Sequence, residues 1–266
     1  MKRLIWATDI HLNFISPAGV EEFCRRIAAA EPDAVLLGGD IGEAPDVAAY
    51  LQMLATWLAR PIYFVLGNHD FYRGSIVQVR SAAATLTRQS EWLRYLSCSG
   101  VVELTDYTCL IGHDGWGDGR IGDYAGSRVL LNDYLLIEEL AGLDQATRLR
   151  KLKALGDEAA DYLCRLLPEA LARFRRVLVL VHVPPFKEAC WHEGRISDED
   201  WLPHFTCQAV GEVLRSAMQA QPERQMLVLC GHTHGAGVAH ILPNLEVRTG
   251  GAEYGSPGLQ ELLIVR

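Results

Sequence analysis

Short apolar runs recur along the chain, and each breaks off at a glycine, an acid, an amide or a histidine. RLIWAT runs into Asp9, AVLLGG into Asp40 and IYFVLG into Asn68. Between the first two, Val20, Phe23 and Ile27 recur at helical spacing behind Ser16-Pro17, which reads as a cap and first turn. Between the second and third, Val47, Tyr50, Leu51, Leu54, Trp57 and Leu58 give another apolar helix face. Ser75 is placed to cap a helix through about Arg88, and VVELTD and YTCLIG then read as two short strands around a Thr-Asp turn. From about 132 to 174 the chain is strongly helical, with breaks expected near Gly142, Gly156 and Pro168. VLVLV ends at His182, Thr206 is placed to cap a helix to about Gln219, and MLVLC runs straight into GHTH. NLEVRT and LQELLIV close the chain as strands. Short buried strands alternating with helices predict an α/β fold whose largely parallel sheet is covered on both faces.

Composition narrows the classes. Hydrophobic residues make up 49% of the 266, enough to fill a sizeable core, and neither a linker nor a repeat divides the chain, so a single domain over 1–266 is expected. The formal charge of −8 argues against an extended nucleic-acid surface. The opening MKRLIWATDIHLNF has an apolar segment broken by Asp9 and His11, too short for a signal-peptide core or a transmembrane span. Cytoplasmic residence is therefore the expectation. Cysteines at 24, 98, 109, 164, 190, 207 and 230 form no CxxC pair and read as reduced thiols.

The polar breaks carry the chemistry. In open α/β sheets, side chains just beyond the carboxyl ends of strands converge on one crevice. Here five strand-like runs deliver Asp9-x-His11, Gly39-Asp40, Gly67-Asn68-His69-Asp70, His182 and Gly231-His232-Thr233-His234 to that kind of position. In D-x-H and H-x-H, alternate side chains can be aimed into one pocket while the middle residue points away. Taken singly, each has a bland reading as a turn, a cap or a core histidine. The ordered series points to metal ligation.

This series resembles the signature of the calcineurin-like metallophosphoesterase superfamily, with a pattern like that of the class III cyclic-nucleotide phosphodiesterases. The resemblance implies a four-layer α/β sandwich, with two central mixed β-sheets flanked by helices. Strands near 101–111 and 244–265 would then belong to the second sheet. It also implies two metal ions. Asp9, His11 and His234 would hold one, Asn68, His182 and His232 the other, and Asp40 would bridge them. The mixed O/N donor set suits Mn, Fe, Zn or Co. Two divalent ions outweigh the two carboxylates, so an anionic small phosphoester is attracted to the site of an acidic protein. By the same resemblance His69 would orient the substrate and protonate the leaving oxygen, and Asp70 would hydrogen-bond His69 and hold its tautomer. The family segment after the second anchor often reads GDxxD or GDxxR. This chain has Glu43 there, which leaves that role open.

Related signatures serve monoesterases, nucleotide-lipid pyrophosphatases and nucleases, and some relatives are non-catalytic protein-binding scaffolds. The signature therefore fixes phosphoester chemistry better than the substrate, and it is silent on oligomeric state. Substrate selection is expected in two irregular excursions, 112–128 and 186–204. The first carries His113, Trp116, Arg120 and Tyr124 among glycines, and the second carries Lys187, His192 and Arg195. An aromatic platform plus an arginine could hold a base, a sugar or a second phosphate. The alternative is that the aromatics merely pin the loops to the body.

Overall fold

In the computed structural model, which describes all 266 residues, the runs ending in Asp9, Asp40 and Asn68 are β1 (Lys2–Ala7), β2 (Ala34–Gly38) and β3 (Ile62–Val65). They pair in parallel, with α1 (Pro17–Ala29) and α2 (Val47–Leu58) as crossovers. Ser16 caps α1 by accepting the Gly19 N–H, and Ser75 caps α3 (Ile76–Gln89) by accepting that of Gln78. β4 (Leu93–Tyr95) extends the sheet beside β3. At three residues it is too short to announce itself by alternation.

The second sheet is built from β5 (Val102–Glu103), β6 (Thr108–His113), β7 (Arg176–Val181), β10 (Gln225–Cys230), β11 (Gly237–Leu242) and β12 (Leu245–Thr249), in the order β11-β12-β10-β7-β6-β5. Its four central strands are parallel, and antiparallel β5 and β11 form its edges. Between β6 and β7 lie α4 (Asp133–Leu136) and α5 (Gln145–Arg173). Between β7 and β10 lie the hairpin β8 (Trp191–His192) and β9 (Arg195–Ile196), then α6 (Leu202–Phe205) and α7 (Gln208–Gln219).

Strand alternation sorts the core into layers. Leu4, Trp6, Leu36 and Val65 from the first sheet meet Leu110, Leu178, Leu180 and Leu229 from the second in a dry core between the sheets. The alternate residues Ile5, Ala7, Val35, Leu37 and Phe64 face α1, α2 and α3, while Val177, Val179, Val181 and Val228 face α5 and α7. The result is the four-layer α/β sandwich with two mixed sheets. Each buried Leu or Val contributes about 1.5–3 kcal/mol by leaving water. The two sheets are thereby clamped with the carboxyl ends of β1, β2, β3, β7 and β10 at a common edge.

Three local expectations are corrected. The closing strand β13 (Glu261–Val265) does not join the second sheet but pairs antiparallel with β1, Lys2 opposite Val265. It closes the open edge of β1 and turns Leu263 and Val265 into the inter-sheet core. Helix α5 runs unbroken through Gly156 and Pro168. Burial of Leu163, Leu167, Ala170 and Leu171 keeps it helical across the proline, and a Cβ at Gly156 would lie 2.6 Å from Cβ of Asp118, so glycine is needed for loop contact. Thr206 does not cap α7. That helix starts one residue later, and the N–H of Ala209 donates to Asp118 Oδ2 at 2.9 Å. No helix is long and apolar enough to cross a membrane.

Candidate metal centre

The seven residues that the resemblance makes ligands, Asp9, His11, Asp40, Asn68, His182, His232 and His234, meet where the two sheets' strand ends face each other. The loops that carry them are bound together through their backbones. Asp9 N–H donates to the Gly39 carbonyl, His11 N–H to that of Asp40, and Gly231 N–H to that of His182. Five of the seven, Asp9, His11, Asp40, His232 and His234, have positive φ, between 40° and 71°. Non-glycine residues rarely take this left-handed region, and clustering of such strain marks sites where geometry is held for function. Gly231 has no room for a side chain, because a Cβ there would overlap Asp9 Oδ2 and Thr8 Oγ1.

Two donor groups can be separated. In the first, one ligand atom from each of Asp9, His11, Asp40 and His234 lies within 4.8 Å of all the others. His11 Nε2 is 3.2 Å from His234 Nε2, which is 3.5 Å from Asp9 Oδ1. In the second, Asn68 Oδ1 lies 3.1 Å from His182 Nε2 and 2.9 Å from His232 Nδ1. Asp40 faces both groups. Its Oδ1 is 3.4 Å from His182 Nε2, and its Oδ2 is 3.8 Å from His11 Nε2.

Proton accounting tests whether this second group fits a cation. A carbonyl only accepts, so His182 Nδ1, 2.8 Å from the Gly38 carbonyl, carries that ring's hydrogen. By the same reasoning His232 Nε2 donates to the His204 carbonyl at 3.2 Å. The Asn68 amide spends its NH2 on Asp133 Oδ1 at 2.8 Å and on the Tyr72 hydroxyl at 3.1 Å. Lone pairs of His182, His232 and Asn68 therefore converge with no hydrogen between them, beside Asp40, whose Oδ1 also accepts the His69 backbone N–H at 2.9 Å. A divalent cation satisfies all four, so the residues present fit the metal that the fold family implies.

Electrostatics agree. Burial drives the His69 ring down to about 2, helped by His11 and His182, and drives His232 down to about 3, again with His182 adding. Burial likewise takes His11 to about 4 against the pull of Asp9. These rings are neutral near pH 7, the state that ligates metals. Burial, then the charges of Asp9 and Asp70, push the Asp40 carboxyl well above its ordinary range. For Asp9, burial is outweighed by the His234 hydrogen bond and the neighbouring imidazoles, so it is held low. His234 is raised because its bond and charge contact with Asp9 overcome burial. A buried carboxylate crowded by like charge is what a bound cation relieves.

Asp70 takes a different place from the one expected. Burial lifts it to about 6 against three backbone hydrogen bonds: Oδ1 accepts the N–H groups of Ile41 and Gly42, and Oδ2 that of Gly67. Neither oxygen bonds the His69 ring, whose Nδ1 is buried without a partner. The two residues share a 3-10 turn, where successive side chains point about 120° apart. Asp70 thus fastens the Asp40 loop to the Asn68 loop. Glu43 pairs with Arg73, so an acidic interaction is kept at the position where the chain departs from the family pattern.

The expected substrate residues are not brought together. His113 is buried against Tyr162, and Trp116 against Phe71. Arg120 is committed to Asp118 at 2.9 Å and Asp157 at 2.7 Å. Tyr124 is buried, with its hydroxyl accepting from Arg148 Nε at 3.1 Å. His113, Arg120 and Tyr124 tie the 112–128 excursion to α5 and Trp116 packs it on Phe71, and the reading of Arg120 as a free phosphate clamp is revised. His192 does sit beside the centre, its Nδ1 3.0 Å from the Thr233 carbonyl and its ring against Trp201 and Phe205.

Several supporting residues carry no signal in the sequence. Thr8 donates to Asp9 Oδ2 at 2.5 Å. His204, whose carbonyl holds His232, is itself fixed by the Tyr134 hydroxyl at 2.5 Å and by Ser127 at 3.0 Å. Asp133, buried and 65 residues beyond Asn68, orients that amide together with Tyr72, which donates to Asp133 Oδ1 at 2.8 Å. Asp133→Ala is therefore expected to weaken metal binding roughly 10–100-fold, the usual effect of losing a partner behind a ligand. Metal titration by calorimetry checks this, and Asp133→Asn should recover part of the loss, because its Oδ1 can still accept from Asn68 and Tyr72 without the carboxylate charge.

A buried Asp/His cluster of this kind, with crowded carboxylates at the facing strand ends of two sheets, fits a metal centre. The chain belongs to the calcineurin-like phosphoesterase family, whose profile matches residues 2–236. At that level it is a metal-dependent phosphoester hydrolase. A search of the curated proteins gives no match. Among solved structures it is similar to the phosphopantetheinyl hydrolase PptH of Mycobacterium tuberculosis, at 12% identity over 96% of this chain and 94% of that one, with a TM-score of 0.67. A dimetal phosphatase from Danio rerio matches at 14% identity, 94% and 87% coverage and a TM-score of 0.57. GAP50, the anchor in the inner membrane complex of Plasmodium, matches at 13% identity, 98% and 75% coverage and a TM-score of 0.52. At such identities these likenesses speak for the fold alone.

Proposed function

We propose that the chain hydrolyses a small phosphodiester or phosphomonoester with two metal ions drawn from Mn, Fe, Zn and Co. Asp9, His11 and His234 would hold one ion, Asn68, His182 and His232 the other, and Asp40 both. The observation that carries the reading is the convergence of lone pairs of Asn68, His182 and His232 beside Asp40, whose two oxygens face the two donor groups. When bound, such a pair of ions polarises the phosphoryl group and activates water. His69, at the open side of the cluster, orients the ester. As water's oxygen bonds to phosphorus and the ester P–O bond breaks, His69 gives the departing oxygen its proton. The ring is neutral in the free protein, so it would take that proton up from solvent as the anionic ester binds and return to the neutral form when the proton leaves with the ester oxygen. Asp70 acts at one remove by fixing the turn.

A non-catalytic scaffold is the alternative, and the complete ligand set counts against it. Seven free cysteines support a reducing compartment such as the cytoplasm. The test is turnover by chelated and metal-reconstituted protein against a phosphomonoester, a cyclic nucleotide, a glycerophosphodiester, a nucleotide-linked lipid and long DNA. Metal-dependent hydrolysis of a small ester is expected. No turnover of any member at full metal occupancy would leave the scaffold reading.

A further inference from the structure

The family profile ends at 236, yet the chain returns to the metal centre beyond it. The segment from Gly250 to Gln260 is irregular and carries Gly250, Gly251, Gly255, Pro257 and Gly258, a composition that would ordinarily make a loose loop. It is instead tied down at several points. The Gln260 side chain clasps Gly251, accepting its N–H at 3.0 Å and donating to its carbonyl at 2.7 Å. Ala252 N–H donates to the carbonyl of His234, and Arg26 Nη1 to that of Pro257 at 3.0 Å. The loop is thus anchored to a proposed ligand's own backbone.

What the loop presents is Tyr254. Its ring centroid lies 4.6 Å from that of His11 and 5.0 Å from that of His234, and its hydroxyl is 3.5 Å from His69 Nε2. Beside it stands Phe14, from the turn after His11, its ring centroid 4.9 Å from that of Tyr254 at a 48° tilt and 5.9 Å from that of His11. Both rings are about half exposed, Tyr254 at 49% and Phe14 at 51%. Large aromatic side chains left half in water cost hydration free energy that an apolar partner would recover. Here the two are adjacent, held by a pinned loop, and open on the flank where His69 faces the site. None of the aromatics in the 112–128 excursion offers such a face.

We infer that Tyr254 and Phe14 form an aromatic shelf that stacks a planar ring carried on the leaving-group side of the substrate, making this a hydrolase for aryl-type or nucleoside-type esters rather than purely aliphatic ones. The inference rests on the hydrolase reading for the side on which the leaving group departs, but the shelf itself can be probed without turnover. Stacking of one ring on such a face is worth about 0.5–1.5 kcal/mol beyond area burial, or roughly 2- to 10-fold in affinity. Base stacking on aromatics reaches about 1–3 kcal/mol.

The experiment compares benzylphosphonate with cyclohexylmethylphosphonate, two non-hydrolysable anions of similar size that differ in planarity, by calorimetry on the Mn-reconstituted full chain. Wild type is expected to bind the benzyl compound about 5- to 10-fold more tightly. Tyr254→Leu and Phe14→Leu should each bring that ratio close to one while leaving metal content and cyclohexylmethyl affinity within about twofold, and Tyr254→Phe should keep the preference. A wild-type ratio near one, or a ratio unchanged in both leucine variants, overturns the shelf. Turnover of the ester panel by wild type is a separate measurement. Its failure would defeat the hydrolase reading while the binding ratio still decides the shelf.

Discussion

Asp40→Ala is expected to empty both metal positions together and to cut kcat/KM for any ester that the wild type hydrolyses by roughly 10³-fold or more. The ions supply several kcal/mol of transition-state stabilisation, and each 1.36 kcal/mol is a factor of ten. The reasoning is geometric, because the two oxygens of this carboxylate face different donor groups, Oδ1 toward His182 and Oδ2 toward His11. A stability measurement separates this from a folding defect. In metal-free protein Asp40 is a buried carboxyl crowded by Asp9 and Asp70, and relief of that crowding offsets the loss of the bond its Oδ1 accepts from the His69 backbone N–H, so its removal should change the melting temperature little. Added Mn should then raise the melting temperature of wild type and not of the variant, since only a folded state that binds ligand is stabilised by it. Elemental analysis of both proteins completes the test. A variant that keeps both ions would remove Asp40 from the bridging position.

His69→Ala is the second large effect, and its size should depend on the leaving group. An alkoxide needs a proton as it departs, so kcat should fall by roughly 10²–10⁴-fold with an alkyl ester. A nitrophenolate leaves without one, and the loss there should be several-fold smaller. The ring's position supports this division: Nε2 is 4.0 Å from Asp40 Oδ2 and beside the Tyr254 hydroxyl, at the open side of the cluster. Its Nδ1 has no partner, so no carboxylate hydrogen-bonds the ring from that side in the free protein. Equal losses with both esters, at matched metal content, would assign His69 to positioning alone.

Much of this centre was legible because burial and polarity change abruptly at strand ends. AVLLGG into Asp40 or MLVLC into GHTH is a buried parallel strand delivering a polar residue to a crevice, and that logic is local. What was not legible is set by contacts distant in sequence. The strand Glu261–Val265 pairs with Lys2–Trp6 at the far end of the chain, and nothing within it says which sheet will take it. Gly156 and Pro168 obey local breaking rules that packing on the second sheet overrides. The glycine-rich excursion at 112–128 reads as an exposed specificity loop, yet it is folded under α5, so Trp116 and Tyr124 become core. Asp70 shows the hazard of adjacency, since a neighbour in sequence within a tight turn points elsewhere in space. Asp133 and Tyr254 reach the centre from segments with no motif at all. The left-handed backbone of Asp9, His11, Asp40, His232 and His234 is equally silent in a sequence, because Asp and His carry no requirement for positive φ as glycine does.

The central claim is a pair of ions sharing Asp40, and anomalous scattering from a Mn-loaded crystal tests it most directly. Two well-occupied peaks are expected. One should be ligated by Asp9, His11 and His234, the other by Asn68, His182 and His232, and both should lie within bonding distance of Asp40. A single peak, peaks that Asp40 does not touch, or none after adequate loading would contradict the account.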